Sequence, residues 1–118
     1  MADRVLFMGW SNAARGREAA SMTVFQETVD YLGRLQAAGD IESFDVVLLD
    51  AHGGDLGGFF LLKGEGEQLM RVRASDEMER HMIRTNLVVE GLGAVGGALG
   101  DGVTRQMAKW LEAARELS

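Results

Sequence analysis

The chain has 118 residues, 47% of them apolar, with 16 Gly, no Pro and no Cys. That is enough apolar material for one packed domain, and it leaves no disulfide framework, thiol nucleophile or cysteine-based zinc site. A total of 12 Lys and Arg against 18 Asp and Glu gives a formal net charge of -6, and no basic run occurs, which argues against nucleic acid or an anionic membrane surface as partner.

Arg4 to Trp10 (RVLFMGW) reads as a first strand, apolar on both faces, and the polar loop Ser11 to Glu18 follows it. The opening residues lack the apolar core of a signal peptide, and no run approaches a membrane span, so the expectation is one cytoplasmic domain over 1–118. From Ala20 to Ala38, Met22, Phe25, Val29, Leu32 and Leu35 recur at steps of three and four. This spacing predicts an amphipathic helix with those residues on its buried face and Gly39 as its stop. Gly33 within it costs about 1 kcal/mol against Ala, and a close approach to the sheet is the expected reason.

The stretch Ile41 to Gly64 organises the rest. Phe44 to Leu49 and Phe59 to Leu62 are apolar runs around a turn rich in Gly, Asp and His, a predicted hairpin. Phe44, Val46 and Leu48 would point one way and Val47 and Leu49 the other, so both sheet faces should be covered. Beyond it, Leu69 and Val72 fall in one short helical piece and Met78, Met82 and Ile83 in the next, with Ser75 as N-cap. Leu87 to Ala98 returns to strand character, weakened by Gly. Asp101 is the predicted N-cap of a final helix carrying Val103, Met107, Trp110, Ala114 and Leu117 on one face.

The order strand, helix, strand, strand, helix, strand is the ferredoxin-like βαββαβ pattern, with an extra C-terminal helix. Such an α+β layout puts helices on one sheet face only. The second face is also apolar here, which predicts packing against the same face of a second copy, a homodimer. The amphipathic helix ending LGRLQAAGDIESF, the hairpin VVLLDAHGGDLGGFFLLKG, the piece SDEMERHM and the strand NLVVEGLG together resemble the dimeric α+β barrel superfamily, and loosely the small YCII-related bacterial proteins. The resemblance implies a ferredoxin-like dimer. The superfamily ranges over monooxygenases, isomerases, cyclases and proteins of unknown activity. YCII-related proteins are associated with a His in the first helix, paired with an Asp; this helix contains no His, and no site residue is carried over.

Gly91 to Gly96 spells GxGxxG, but a dinucleotide fingerprint needs a second strand and an acidic residue about 20 positions on, whereas one helix follows; a Gly-rich strand explains it. Asp50, His52 and Asp55 put an imidazole between carboxylates, a set able to ligate a metal or form a general base with its orienting acid. A solvated turn explains the same letters. Glu90 interrupts an apolar strand, so its carboxylate would be buried with a partner or a raised pKa, unless it lies at a strand end and reaches water. His81, in DEMERHM, reads as a surface residue. Trp10 with Arg15 and Arg17 could rim a pocket for a small anionic or aromatic ligand, and a core-edge Trp with solvated Arg side chains explains them equally. The reading is therefore a small-molecule binder or cofactor-independent enzyme. His52, Asp50 and Glu90 are the catalytic candidates, Trp10, Arg15, Arg17 and Asp55 the ligand-binding ones, with no metal or cofactor assigned. The alternative is a non-catalytic homodimeric interaction module, and a concave pocket with convergent polar groups separates the two.

Overall fold

The computed structural model describes residues Met1–Ser118. Its elements are β1 (Arg4–Trp10), α1 (Glu18–Ala38), β2 (Ser43–Leu48), β3 (Gly58–Gly64), α2 (Gly66–Ala74), α3 (Asp76–Asn86), β4 (Gly93–Ala98) and α4 (Asp101–Glu116). The four-stranded sheet has the order β2-β3-β1-β4, and every neighbouring pair is antiparallel. This is the ferredoxin-like α+β fold expected from the element order, with the helical segment after the hairpin divided into α2 and α3.

Local chemistry sets the boundaries. Gly39 ends α1 in the left-handed conformation, φ 78°, and its N–H closes onto the Leu35 and Gln36 carbonyls. In the first turn of α1 the backbone N–H groups of Glu18 and Gly16 hold the Glu18 carboxyl below its ordinary value. A capping box between Glu65 and Gln68 opens α2. Ser75 caps α3 as expected, its hydroxyl accepting the Met78 N–H at 3.3 Å.

Alternation along the strands divides the sheet into two faces. Leu6, Met8, Phe60 and Leu62 point toward α1, α2 and α3 and pack with Tyr31, Leu32, Leu69, Val72 and Met78 as one core. By the same register, Val5, Phe7, Val47, Phe59, Leu61 and Val95 share the opposite face, where the Phe7 and Phe59 rings lie 5.0 Å apart. No helix covers that face. Asp45, on the same side, pairs with Lys63 at 2.7 Å, so its charge is met there.

Several expectations need correction. The buried face of α1 is centred on Val24, Thr28, Tyr31 and Leu32, with Phe25, Val29 and Leu35 at its margins; Met22 is 74% exposed. A Cβ on Gly33 would meet nothing within 4 Å, so no close approach to the sheet explains that glycine. The strand expected from Leu87 begins only at Gly93. Gly91 takes the left-handed conformation, φ 70°, and turns the chain ahead of β4. Gly100, rather than Asp101, is the N-cap of α4.

In α4 the apolar stripe is left unpartnered: Met107 is 63% and Trp110 69% exposed, and Gly102 is the buried residue of the helix. The helix start is fixed by the Arg105–Asp3 ion pair. The molecule is elongated, 52 × 37 × 23 Å. No helix is long and apolar enough to cross a membrane.

Candidate functional site

The first half of α1 stands off from the end of the sheet and leaves a cleft of about 480 Å3. Trp10, Leu48 and Phe60 form its sheet side, Ser21, Met22, Phe25 and Thr28 its α1 side, and Thr85, Val88 and Val89 close it. Its aromatic wall is mutually braced: Trp10 lies 5.1 Å from Phe60 and 6.2 Å from Phe25, and Phe25 lies 5.5 Å from Phe60. The closing segment is held by backbone. Ala14 donates to the Val88 carbonyl, Ser11 to the Glu90 carbonyl, and Glu90 to that of Asn12, each at 2.8 Å.

The wall contains no titratable side chain. Its polar groups are chiefly hydroxyls, and each spends its proton on its own helix. Thr28 donates to the Val24 carbonyl at 2.9 Å, Thr85 to that of His81 at 2.7 Å, and Ser21 to that of Glu18 at 2.7 Å. Each oxygen keeps its two lone pairs, so these groups act toward the cleft as acceptors. Next to the cleft lies a small void of about 10 Å3, which shares Trp10, Thr28, Phe60 and Thr85 as walls and adds Met8, Met78, Met82, Leu92 and His81.

His81 is not the surface residue expected. Its side chain is 13% exposed and its ring stacks on Tyr31 with centroids 4.4 Å apart and planes 11° from parallel. Two ion pairs between α1 and α3 flank the stack, Arg34 with Glu77 at 3.1 Å and Arg84 with Glu27 at 2.8 Å. Nε2 lies 3.9 Å from the Glu77 carboxylate, while Nδ1 is shut off from solvent with no hydrogen-bond partner. Burial lowers the imidazole pKa below the ordinary 6.5 against the opposing pull of Glu77 and Glu27. An unfolded chain therefore takes up this proton first as pH falls. The resulting stability is fully present above about pH 6.5 and is lost as pH drops toward the folded-state value. The expected outcome is a denaturation midpoint that declines across this window in the natural chain and declines less in a His81→Phe variant; parallel curves would sink the assignment.

The other candidates separate into two groups. Trp10, Asp50, His52 and Asp55 border one open depression at the hairpin end. There His52 is engaged by backbone at both nitrogens: Nδ1 accepts the Gly54 N–H at 3.2 Å and Nε2 lies 2.8 Å from the Leu56 carbonyl. The imidazole thereby folds the loop, leaving neither nitrogen free to serve as a base. Nowhere are three or more Asp, Glu or His side chains placed to hold a metal ion. Glu90 is exposed, as a residue before the strand rather than in it. Arg15 and Arg17 are exposed in their loop and do not join Trp10 at the cleft.

Thr28, Thr85, Val88, Val89 and His81 were missed. A signal for His81 existed. Met78, His81, Met82 and Thr85 recur at helical spacing, whereas Ile83, read into that stripe, is exposed.

No protein-family model matches the chain, and no curated protein does. Solved structures do resemble it in fold. A dimeric ferredoxin-like protein of unknown function from Bacteroides fragilis superposes with a TM-score of 0.60 at 11% identity, over 81% of this chain and 96% of that one. One from Thermobifida fusca, also dimeric and of unknown function, gives 0.59 at 13%, over 84% and 93%. SnoaB, a cofactor-independent oxygenase from Streptomyces nogalater, gives 0.51 at 18%, over 84% and 93%.

Proposed function

We propose that the protein is a homodimer that binds a small, largely apolar organic molecule in the cleft between α1 and the end of the sheet. The cleft itself carries the reading. At about 480 Å3 it falls within the roughly 300–1,000 Å3 usual for small-molecule sites, and it combines braced aromatic walls with a few fixed acceptors. Such an opening weighs against a pure interaction module, whose interior would be filled.

The dimer is proposed from the uncovered sheet face. A contiguous apolar sheet is rarely left to water, α1, α2 and α3 all lie on the other side, and an identical face is the simplest cover. The dimeric state of the Bacteroides fragilis and Thermobifida fusca proteins supports this. The exposed stripe of α4 is a second uncovered apolar surface, and we assign it to clasp the partner. A Trp110→Glu variant is accordingly expected to weaken association at least about tenfold, equivalent to roughly 1.4 kcal/mol, with its circular dichroism unchanged. Unaltered sedimentation on serial dilution would remove the clasp and leave the sheet pairing.

Catalysis without a cofactor is the second reading, favoured by the likeness to SnoaB. A wall without titratable side chains suits a reaction in which substrate and dioxygen themselves do the redox work. Native mass spectrometry of the untagged protein tests both parts. A dimer carrying added mass supports the reading. A monomer would overturn the pairing, and a bare dimer that no apolar small molecule stabilises against heat would overturn the ligand site.

A further inference from the structure

We infer that His81 is the polar end of this ligand site, its Nδ1 accepting a hydrogen bond from an O–H or N–H group at the leading edge of a neutral bound molecule. The inference rests on the cleft being the ligand site. The void next to the cleft is about the size of one water molecule; it shares Trp10, Thr28, Phe60 and Thr85 with the cleft and has His81 on its own wall. His81 is the one titratable side chain on those walls.

Three observations assign the role. Buried polar atoms are seldom left without a partner, yet Nδ1 has none. The neighbouring hydroxyls cannot supply one, because the protons of Thr28 and Thr85 are already given to helix carbonyls. The Glu77 carboxylate near Nε2 favours the proton on that nitrogen and leaves the lone pair on Nδ1. The surroundings keep the ring neutral. Glu77 and Arg84 face it from α3 and Glu27 and Arg34 from α1, in opposed charges, Tyr31 covers its plane, and the sheet side offers only Met8, Trp10 and Phe60. A donor to Nδ1 is thus the chemistry the site lacks. A carboxylate ligand would be desolvated with no cation to meet it.

The test uses two probes of one shape, naphthol and the matching methoxynaphthalene, which has no donor, titrated calorimetrically into the full chain above the imidazole's titration range. Naphthol is expected to bind about tenfold more tightly. That preference is expected to vanish in His81→Phe, which keeps a ring on Tyr31, and in His81→Gln, whose amide reaches the Nε2 position. It is expected to survive in His81→Asn, which keeps an acceptor at the Nδ1 position. In the natural chain naphthol alone should shift the Nδ1 resonance in nitrogen NMR, a readout that needs no variant. Equal affinity for the two probes would overturn the role of His81 and leave the cleft standing. Failure of both to bind, or binding untouched by Ser21→Phe, which fills the cleft, would overturn the cleft and with it this inference.

Discussion

A Phe7→Lys variant is expected to sediment as a monomer at concentrations where the natural chain is a dimer. Phe7 sits on an interior strand and faces away from the core, between Leu61 and Val95 on its neighbours and 5.0 Å from the Phe59 ring. Its removal therefore costs the monomer little. In a pair of identical faces each copy loses one aromatic burial, about 1.5–3 kcal/mol apiece, and an unpaired ammonium is added to the same apolar surface. A total loss of roughly 3–6 kcal/mol corresponds to about two to four orders of magnitude in dissociation constant. Analytical ultracentrifugation with a thermal melt checks both halves of the argument. A dimer that persists on dilution would show that the copies meet elsewhere.

Gly57→Val is the substitution expected to cost the fold most for its size. The Gly57 N–H donates to the Trp10 carbonyl at 2.7 Å and its own carbonyl accepts the Leu49 N–H at 2.9 Å, which fastens the hairpin end to the exit of β1. A Cβ there would overlap the Ser11 carbonyl oxygen, and backbone cannot step aside as a flexible side chain can. Overpacking of about 1–3 kcal/mol, added to hydrogen bonds worth roughly 0.5–1.5 kcal/mol each, gives a loss on the order of 3 kcal/mol. Because Trp10 is a wall of the cleft, its fluorescence should shift toward that of a wetter indole before global unfolding. An unchanged urea midpoint would contradict the close packing.

The architecture was legible because it rests on periodicity. Apolar runs, a three-and-four stripe and Gly stops are local features, and the second apolar face of the sheet was legible in Val47 and Leu49, set against Phe44, Val46 and Leu48, and in a first strand apolar on both sides. The errors are equally local. In α1 the choice of Met22 over Val24 rotated the helix, since hydrophobicity does not say which of two apolar side chains two positions apart tertiary packing will take. Val88 and Val89 read as strand but serve as a backbone zipper to residues 11–14, because Gly91 turns the chain. The site was far less legible. Its walls come from β1, β2, β3, α1, α3 and the segment beyond it, with no motif joining them, and its most telling group, His81, is hidden among charged letters. The Asp50, His52 and Asp55 set looked chemical because turn-forming and catalytic side chains are drawn from the same alphabet.

The antiparallel sheet order also sets the schedule on which the chain becomes a protein. Of the four strands β1 is made first, yet its two partners, joined at Arg4 to Gly64 and at Arg4 to Ala98, are the third and fourth to be made. At about 5–20 residues per second, Val5, Leu6 and Phe7 wait several seconds for the strands that cover them. The helices and the β2–β3 hairpin can form from neighbours in sequence, whereas β1 pairs only with distant strands, so an interior strand of the finished sheet is the first of its strands to be made and is enclosed only when β4 joins it.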